Sequence, residues 1–229
     1  MYPFFYDSTM IILIPAIILA MYAQSKVKST YAKYVRIPSK KGYTGADAAR
    51  AILDKNGLSD VNIQHIGGVL SDHYDPRTRV LRLSDQVYRG TSIASSAIAA
   101  HEVGHAIQHA KSYAPLIFRN AIVPVVNFAS NLSWFFIMAG LIFAGMQSLL
   151  DIGIILFTGA VIFQIVTLPV EFNASSRALS ELESVGVLTR EEIPQSKKVL
   201  NAAALTYVAA TATAVAQLIR LLLIRDRRR

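Results

Sequence analysis

Hydrophobic positions gather into four blocks, residues 10–23, 121–146, 152–170 and 202–224, separated by mixed or polar segments. At 1.5 Å rise per residue the second and third blocks are long enough to span about 30 Å of hydrocarbon. The first falls short unless the aromatic run Tyr2-Pro3-Phe4-Phe5-Tyr6 sits in the membrane interface. No Lys or Arg precedes its apolar core, so it reads as an uncleaved anchor and not as a secretory leader. The fourth is rich in Ala and Thr, with little Leu before Leu218. It reads as a helix that packs on the catalytic segment and meets the membrane, with its basic tail inside.

Between the first two blocks the pattern shortens. Thr44 or Asp47 caps a predicted helix over 48–56 that stops at Gly57. Residues 61–66 read as a strand, His73-Tyr74-Asp75-Pro76 as a turn, and Val80–Ser84 as a half-exposed strand by its alternation. Residues 92–111 contain no Pro and a single Gly, and predict a helix. The fold class expected is mostly α with a small β-sheet, an α+β unit integrated with transmembrane helices.

Composition agrees with a membrane protein. Of 229 residues 53% are hydrophobic and 17% charged, with mean hydropathy +0.39; an ordinary soluble domain carries about 25% charge. There is no cysteine, which excludes disulfides and thiolate metal sites. The net charge of +8 is unevenly spread: fourteen Lys and Arg lie in 26–119, and none in 1–23 or 147–151. By the positive-inside rule, 26–119 is cytoplasmic, and the N-terminus and the 147–151 turn are outside. The lipid bilayer is therefore an expected partner. The basic residues are scattered and accompany no nucleic-acid-binding motif, so no nucleic-acid partner is expected. Oligomeric state is not legible.

The predicted helix over 92–111 contains His101-Glu102-Val103-Gly104-His105. Four residues is close to one helical turn, so both imidazoles project from one face and can hold a single zinc ion. Glu102 lies off that face and can take a proton from the water that the metal activates. A third protein ligand is needed. His109 is too far, because eight residues rise about 12 Å from His101. The extended pattern with a third His six residues on fails, since position 111 is Lys. Two crossings return the chain to the cytoplasmic side, and Glu171 is the first acidic residue after that return, opening a predicted helix over 171–177. Glu181, Glu183, Glu191 and Glu192 remain open as alternatives.

With these residues in view, the chain resembles the YugP-type membrane zinc metallopeptidases of bacteria over nearly its full length. The resemblance is carried by Ser71-Asp72-His73-Tyr74-Asp75-Pro76, by Val80-Leu81-Arg82-Leu83-Ser84, by the segment around the two histidines, and by Leu168-Pro169-Val170-Glu171-Phe172. It is more distantly similar to the HtpX and type-I CAAX prenyl proteases, whose third ligand begins E-x-x-x-D. The resemblance implies a zincin-like gluzincin unit with one zinc ion per chain, held by His101, His105 and Glu171. It also implies Glu102 as general base and Arg177 as a candidate for oxyanion stabilisation. Ser175 stands where the distant relatives carry Asp, which leaves open what supports the ligands from behind.

The organisation expected is an anchor (1–24), a cytoplasmic catalytic segment (25–120), a transmembrane hairpin (121–170), and a third-ligand helix followed by a C-terminal apolar helix (171–229). The function expected is zinc-dependent hydrolysis of peptide bonds in protein or peptide substrates at the cytoplasmic face of the bacterial membrane. A non-catalytic, metal-stabilised scaffold is the alternative, against which Glu102 argues because a structural zinc has no need of it. A metal carrier is disfavoured, since the apolar blocks lack the intramembrane acidic and His residues of an ion path.

Overall fold

The computed structural model describes residues 8–143 and 145–228. The aromatic run expected at the interface, 2–6, lies outside them. A 3-10 turn (Ser8–Ile12) precedes α1 (Leu13–Tyr34), α2 (Gly45–Lys55), β1 (Asn62–Ile66), β2 (His73–Asp75) and β3 (Val80–Ser84). Four further long helices and one short one follow: α3 (Asp85–Tyr88), α4 (Ile93–Ala110), α5 (Ala114–Ile142), α6 (Gln147–Ser184) and α7 (Ile193–Asp226). The chain is mostly helical with one small sheet, and it divides into two compact units. Met1–Ala23, Phe118–Leu168 and Thr206–Arg229 form the first; Gln24–Ile117 and Pro169–Leu205 form the second.

Four helices among the described residues are long and apolar enough to cross a membrane: Ser8–Tyr34, Ala114–Ile142, Gln147–Ser184 and Ile193–Asp226. In the first unit α5 and α6 approach closely. A Cβ on Gly140 would lie 2.5 Å from the Leu150 nitrogen, and one on Gly153 would lie 2.8 Å from that of Ile137. Small residues permit this backbone contact where no hydrophobic effect drives helices together. Ile137, Leu150, Ile154 and Leu221 form the small core of this unit. Large apolar side chains point away from it, Phe128 at 71% and Ile155 at 70% exposure, which requires an apolar solvent.

The fourth block divides between the units. Its residues up to Leu205 belong to the second unit and those from Thr206 onward to the first, where Leu221 joins the α5–α6 core. Thr211 donates to the Gln164 carbonyl at 3.4 Å. The basic tail lies beside the 147–151 turn, the end expected outside, and so departs from the expected inside placement: Arg225 pairs with Asp151, and Arg228 donates to the carbonyls of Gly140 and Leu141 at 2.9 and 3.0 Å. Ala and Thr helices pack tightly in a membrane group even though their hydropathy is modest.

In the second unit the sheet order is β1-β3-β2, with β1 parallel and β2 antiparallel to β3. The half-exposed strand expected at Val80–Ser84 is instead the buried central strand, with Val80, Leu81, Leu83 and Ser84 all buried. The expected turn at His73 is strand β2, with Tyr74 paired to Leu81 and Asp75 to Val80. The turn proper falls one step later, where Asp75 accepts from the Arg77 nitrogen at 2.9 Å and from the Thr78 hydroxyl at 2.8 Å. A capping box opens α2: Thr44 Oγ1 accepts from Asp47 N at 3.0 Å, and Asp47 Oδ2 accepts from Thr44 N at 3.1 Å. Ile52 and Leu53 from α2, Leu81 and Leu83 from β3, and Ile107 from α4 are buried in one core. That core fixes the position and rotation of α4.

Candidate metal centre

Ser92 caps α4, its hydroxyl accepting from the Ser95 nitrogen at 3.0 Å. Ala97, Ala100, Val103 and Ala106 then bury one side of the helix. The His101 and His105 rings come to 4.9 Å between centroids. Their Nε2 atoms stand 3.3 and 3.6 Å from Glu171 Oε2. One ligand atom from each of these three residues lies within 4.8 Å of the others. A tetrahedral zinc with bonds of about 2.0–2.1 Å separates its ligand atoms by about 3.3 Å. The donor set, two imidazole nitrogens and a carboxylate, therefore fits zinc in type and spacing. It leaves a fourth position free.

Glu171 reaches the histidines because α6 runs unbroken from Gln147 to Ser184, carrying Pro169 inside it. The helix expected to open at residue 171 is thus the continuation of the third apolar helix. Gly104 explains how close α4 and α6 come. A Cβ there would meet the Ala174 carbonyl oxygen at 2.6 Å. Any larger residue at the third position after His101 would push against the Ala174 backbone, in the helix that carries Glu171.

The other carboxylates left open by the sequence are engaged elsewhere. Glu181 pairs with Lys55 at 3.1 Å, Glu183 with Arg190 at 3.6 Å, and Glu191 with Lys40. Glu192 is buried and accepts from the Thr189 and Lys40 nitrogens, each at 2.8 Å. His109 turns away from the pair and meets the Tyr74 hydroxyl through Nδ1 at 2.9 Å. His73 fixes its own segment, Nδ1 donating to the Ser71 carbonyl at 2.9 Å.

Behind the ligands stand neutral groups. Gln108 is fully buried, and its amide nitrogen donates to the Val170 carbonyl at 2.8 Å and to Asn173 Oδ1 at 3.0 Å. That orientation turns Gln108 Oε1 to His105 Nδ1, 3.0 Å away. An amide oxygen only accepts, so Nδ1 carries the proton and the neutral ring keeps its lone pair on Nε2. Ser175 Oγ lies 3.1 Å from His101 Nδ1 and serves the other ring. Arg177 Nε donates to Asn173 Oδ1 at 2.7 Å, which ties it into the same network. Sequence reading missed Gln108, although its place three residues after His105 puts it on the same helix face.

Glu102 is densely surrounded yet keeps some solvent contact. Burial pushes its carboxyl above the ordinary carboxylate range, and the nearby Glu171 and Asp72 charges push the same way, against the pull of His101 and His105. A carboxyl shifted upward holds a proton more firmly than an ordinary one, which suits a group that both takes and returns it.

Comparison with known proteins agrees with this geometry. The family described as "Putative neutral zinc metallopeptidase" matches over residues 9–226. A protein of Bacillus subtilis (strain 168) named "Putative membrane protease YugP" is 50% identical over 211 residues, covering 92% of this chain and 93% of that protein. No solved structure matches the chain. The family match takes in the two histidines, Glu171 and the four long apolar helices, and the chain belongs to this zinc metallopeptidase family.

Proposed function

We propose that the chain is a membrane-bound zinc metalloendopeptidase, of gluzincin type, that cleaves protein or peptide substrates at the cytoplasmic face of the bacterial membrane. The observation that carries this reading is the convergence of His101, His105 and Glu171, with Glu102 beside them in the same helix. One zinc ion per chain, when bound, supplies Lewis-acid polarisation of the scissile carbonyl and acidifies water toward a pKa of about 7. Glu102 removes the proton from the attacking water and returns it to the departing amine. Gln108 and Ser175 hold the imidazoles with Nε2 toward the ion. Arg177 is positioned by Asn173 through Nε, and among the described residues its two terminal amino groups carry no hydrogen bond. They are the groups offered to the oxyanion.

The cytoplasmic placement is supported by the lysines and arginines of 26–119. The deciding experiment compares wild type with Glu102→Gln on an unfolded membrane-protein substrate, with a chelator control. Zinc retained and cleavage lost in the variant, by about 10²–10⁴-fold, is the expected result. Equal cleavage by both would overturn the mechanism, and a zinc-loaded protein that cleaves nothing in a broad peptide library would favour the scaffold reading.

A further inference from the structure

A second basic feature lies outside the metal centre. A cavity of about 630 Å³ in the second unit is bounded by one face of α1 and one face of α7. Lys26, Ser29 and Lys33 supply one wall and Lys198 and Asn201 the other, with Leu205 at its apolar end. On each helix these positions follow the i, i+3, i+7 spacing of a single face. No carboxylate lines the cavity. Two other lysines of this unit do have acidic partners, Lys40 in Glu191 and Lys55 in Glu181. Among the described residues, Lys26, Lys33 and Lys198 have none. Three cations held around one concavity without a counter-charge repel each other, and an anion relieves that repulsion.

The chain itself indicates which anion. The apolar block of α1 ends at Ala23, and Lys26 follows about 4.5 Å further along the helix axis. On α7, Leu205 adjoins the residues assigned to the apolar first unit. Both walls therefore begin where a membrane helix meets the headgroup layer, and basic pockets between helices at that depth select anionic headgroups. We propose that this cavity is a binding site for an anionic phospholipid, whose phosphate is held by Lys26, Lys33 and Lys198 and whose remaining headgroup oxygens meet Ser29 and Asn201. The site is independent of the peptidase reading, and its test needs no substrate.

Full-length protein in detergent would be titrated with phosphatidylglycerol, phosphatidylcholine or inorganic phosphate, and binding read by native mass spectrometry. Lys26→Gln/Lys33→Gln/Lys198→Gln would be compared with Lys28→Gln/Lys197→Gln/Lys111→Gln. The control triple removes the same charge, two of its three lysines being on the same helices, but none lines the cavity. A contribution of about fivefold per lysine predicts a loss on the order of 100-fold in phosphatidylglycerol affinity for the cavity triple. The control should lose little, and the corresponding Lys→Arg triple should retain binding. If the cavity triple does not fold, each single Lys→Gln variant should show its own fivefold loss. Equal loss in both triples would reduce the effect to general surface charge and overturn the site. Inorganic phosphate binding as tightly as the lipid, or phosphatidylcholine binding equally well, would overturn its assignment to an anionic lipid.

Discussion

Gln108 and His105 are joined by a 3.0 Å hydrogen bond from the imidazole Nδ1 to the amide oxygen, and the other end of the same amide holds the Val170 carbonyl. One side chain therefore sets the ring of one proposed zinc ligand and the backbone next to another, Glu171. Removing such a support typically weakens metal affinity by 10–100-fold. Gln108→Leu should show a loss in that range in a competitive chelator titration, while Gln108→Glu, which still accepts from Nδ1, should recover part of it. Unchanged affinity in Gln108→Leu would mean that α4 packing alone orients His105.

Glu171→Ala should abolish zinc binding, whereas Glu183→Ala, on the same helix but paired with Arg190, should not. Metal analysis of the purified proteins decides this. Full zinc in Glu171→Ala would transfer the third-ligand role to another carboxylate.

Gly104→Ala should damage both fold and site. The added methyl falls 2.6 Å from the Ala174 oxygen, so α6 must retreat from α4. Overpacking of this kind costs about 1–3 kcal/mol. Lower thermal stability together with weaker zinc binding is expected, and a variant with wild-type melting temperature and metal content would contradict the close contact.

Glu192 gives a pH dependence. Burial pushes its carboxyl up, but hydrogen bonds from the Thr189 and Lys40 nitrogens and the Thr189 hydroxyl outweigh it, and the net shift is downward. A carboxyl lowered by folding stabilises the native state above its unfolded pKa. That stabilisation disappears as pH falls through the lowered folded value. Melting temperature should thus drop on the acid side of the ordinary glutamate range, and Glu192→Gln should flatten that limb. An unchanged acid limb in the variant would assign the loss to other groups.

Orientation is open to a labelling test because the chain has no cysteine of its own. Lys111→Cys, exposed at the end of α4, should resist an impermeant thiol reagent in intact cells, and Met146→Cys, between α5 and α6, should react. The reverse pattern would invert the topology.

The cluster of His101, His105 and Glu171 was legible because the chemistry proposed for it is tied to residue type. Two histidines one turn apart and an acid after two apolar blocks leave few arrangements. Gln108 escaped notice because an amide has no metal chemistry, and only its burial against Val170 reveals its role. Strand β2 escaped because three residues before a proline carry a turn composition, and pairing with a distant strand overrode it. The placement of α7 depended on partners far away in sequence, such as Asp151 for Arg225, which no local pattern displays.

The unbroken α6 also bears on biosynthesis. Seventy positions separate His101 from Glu171, and α5 and the part of α6 that precedes Glu171 are made between them. At 5–20 residues per second the ribosome takes on the order of 10 s to cover that stretch. A nascent chain in that interval holds two of its three proposed metal ligands. Completion of the site waits for the hairpin, so a newly made molecule acquires its full donor set only after the segment that seats it in the bilayer has been synthesised.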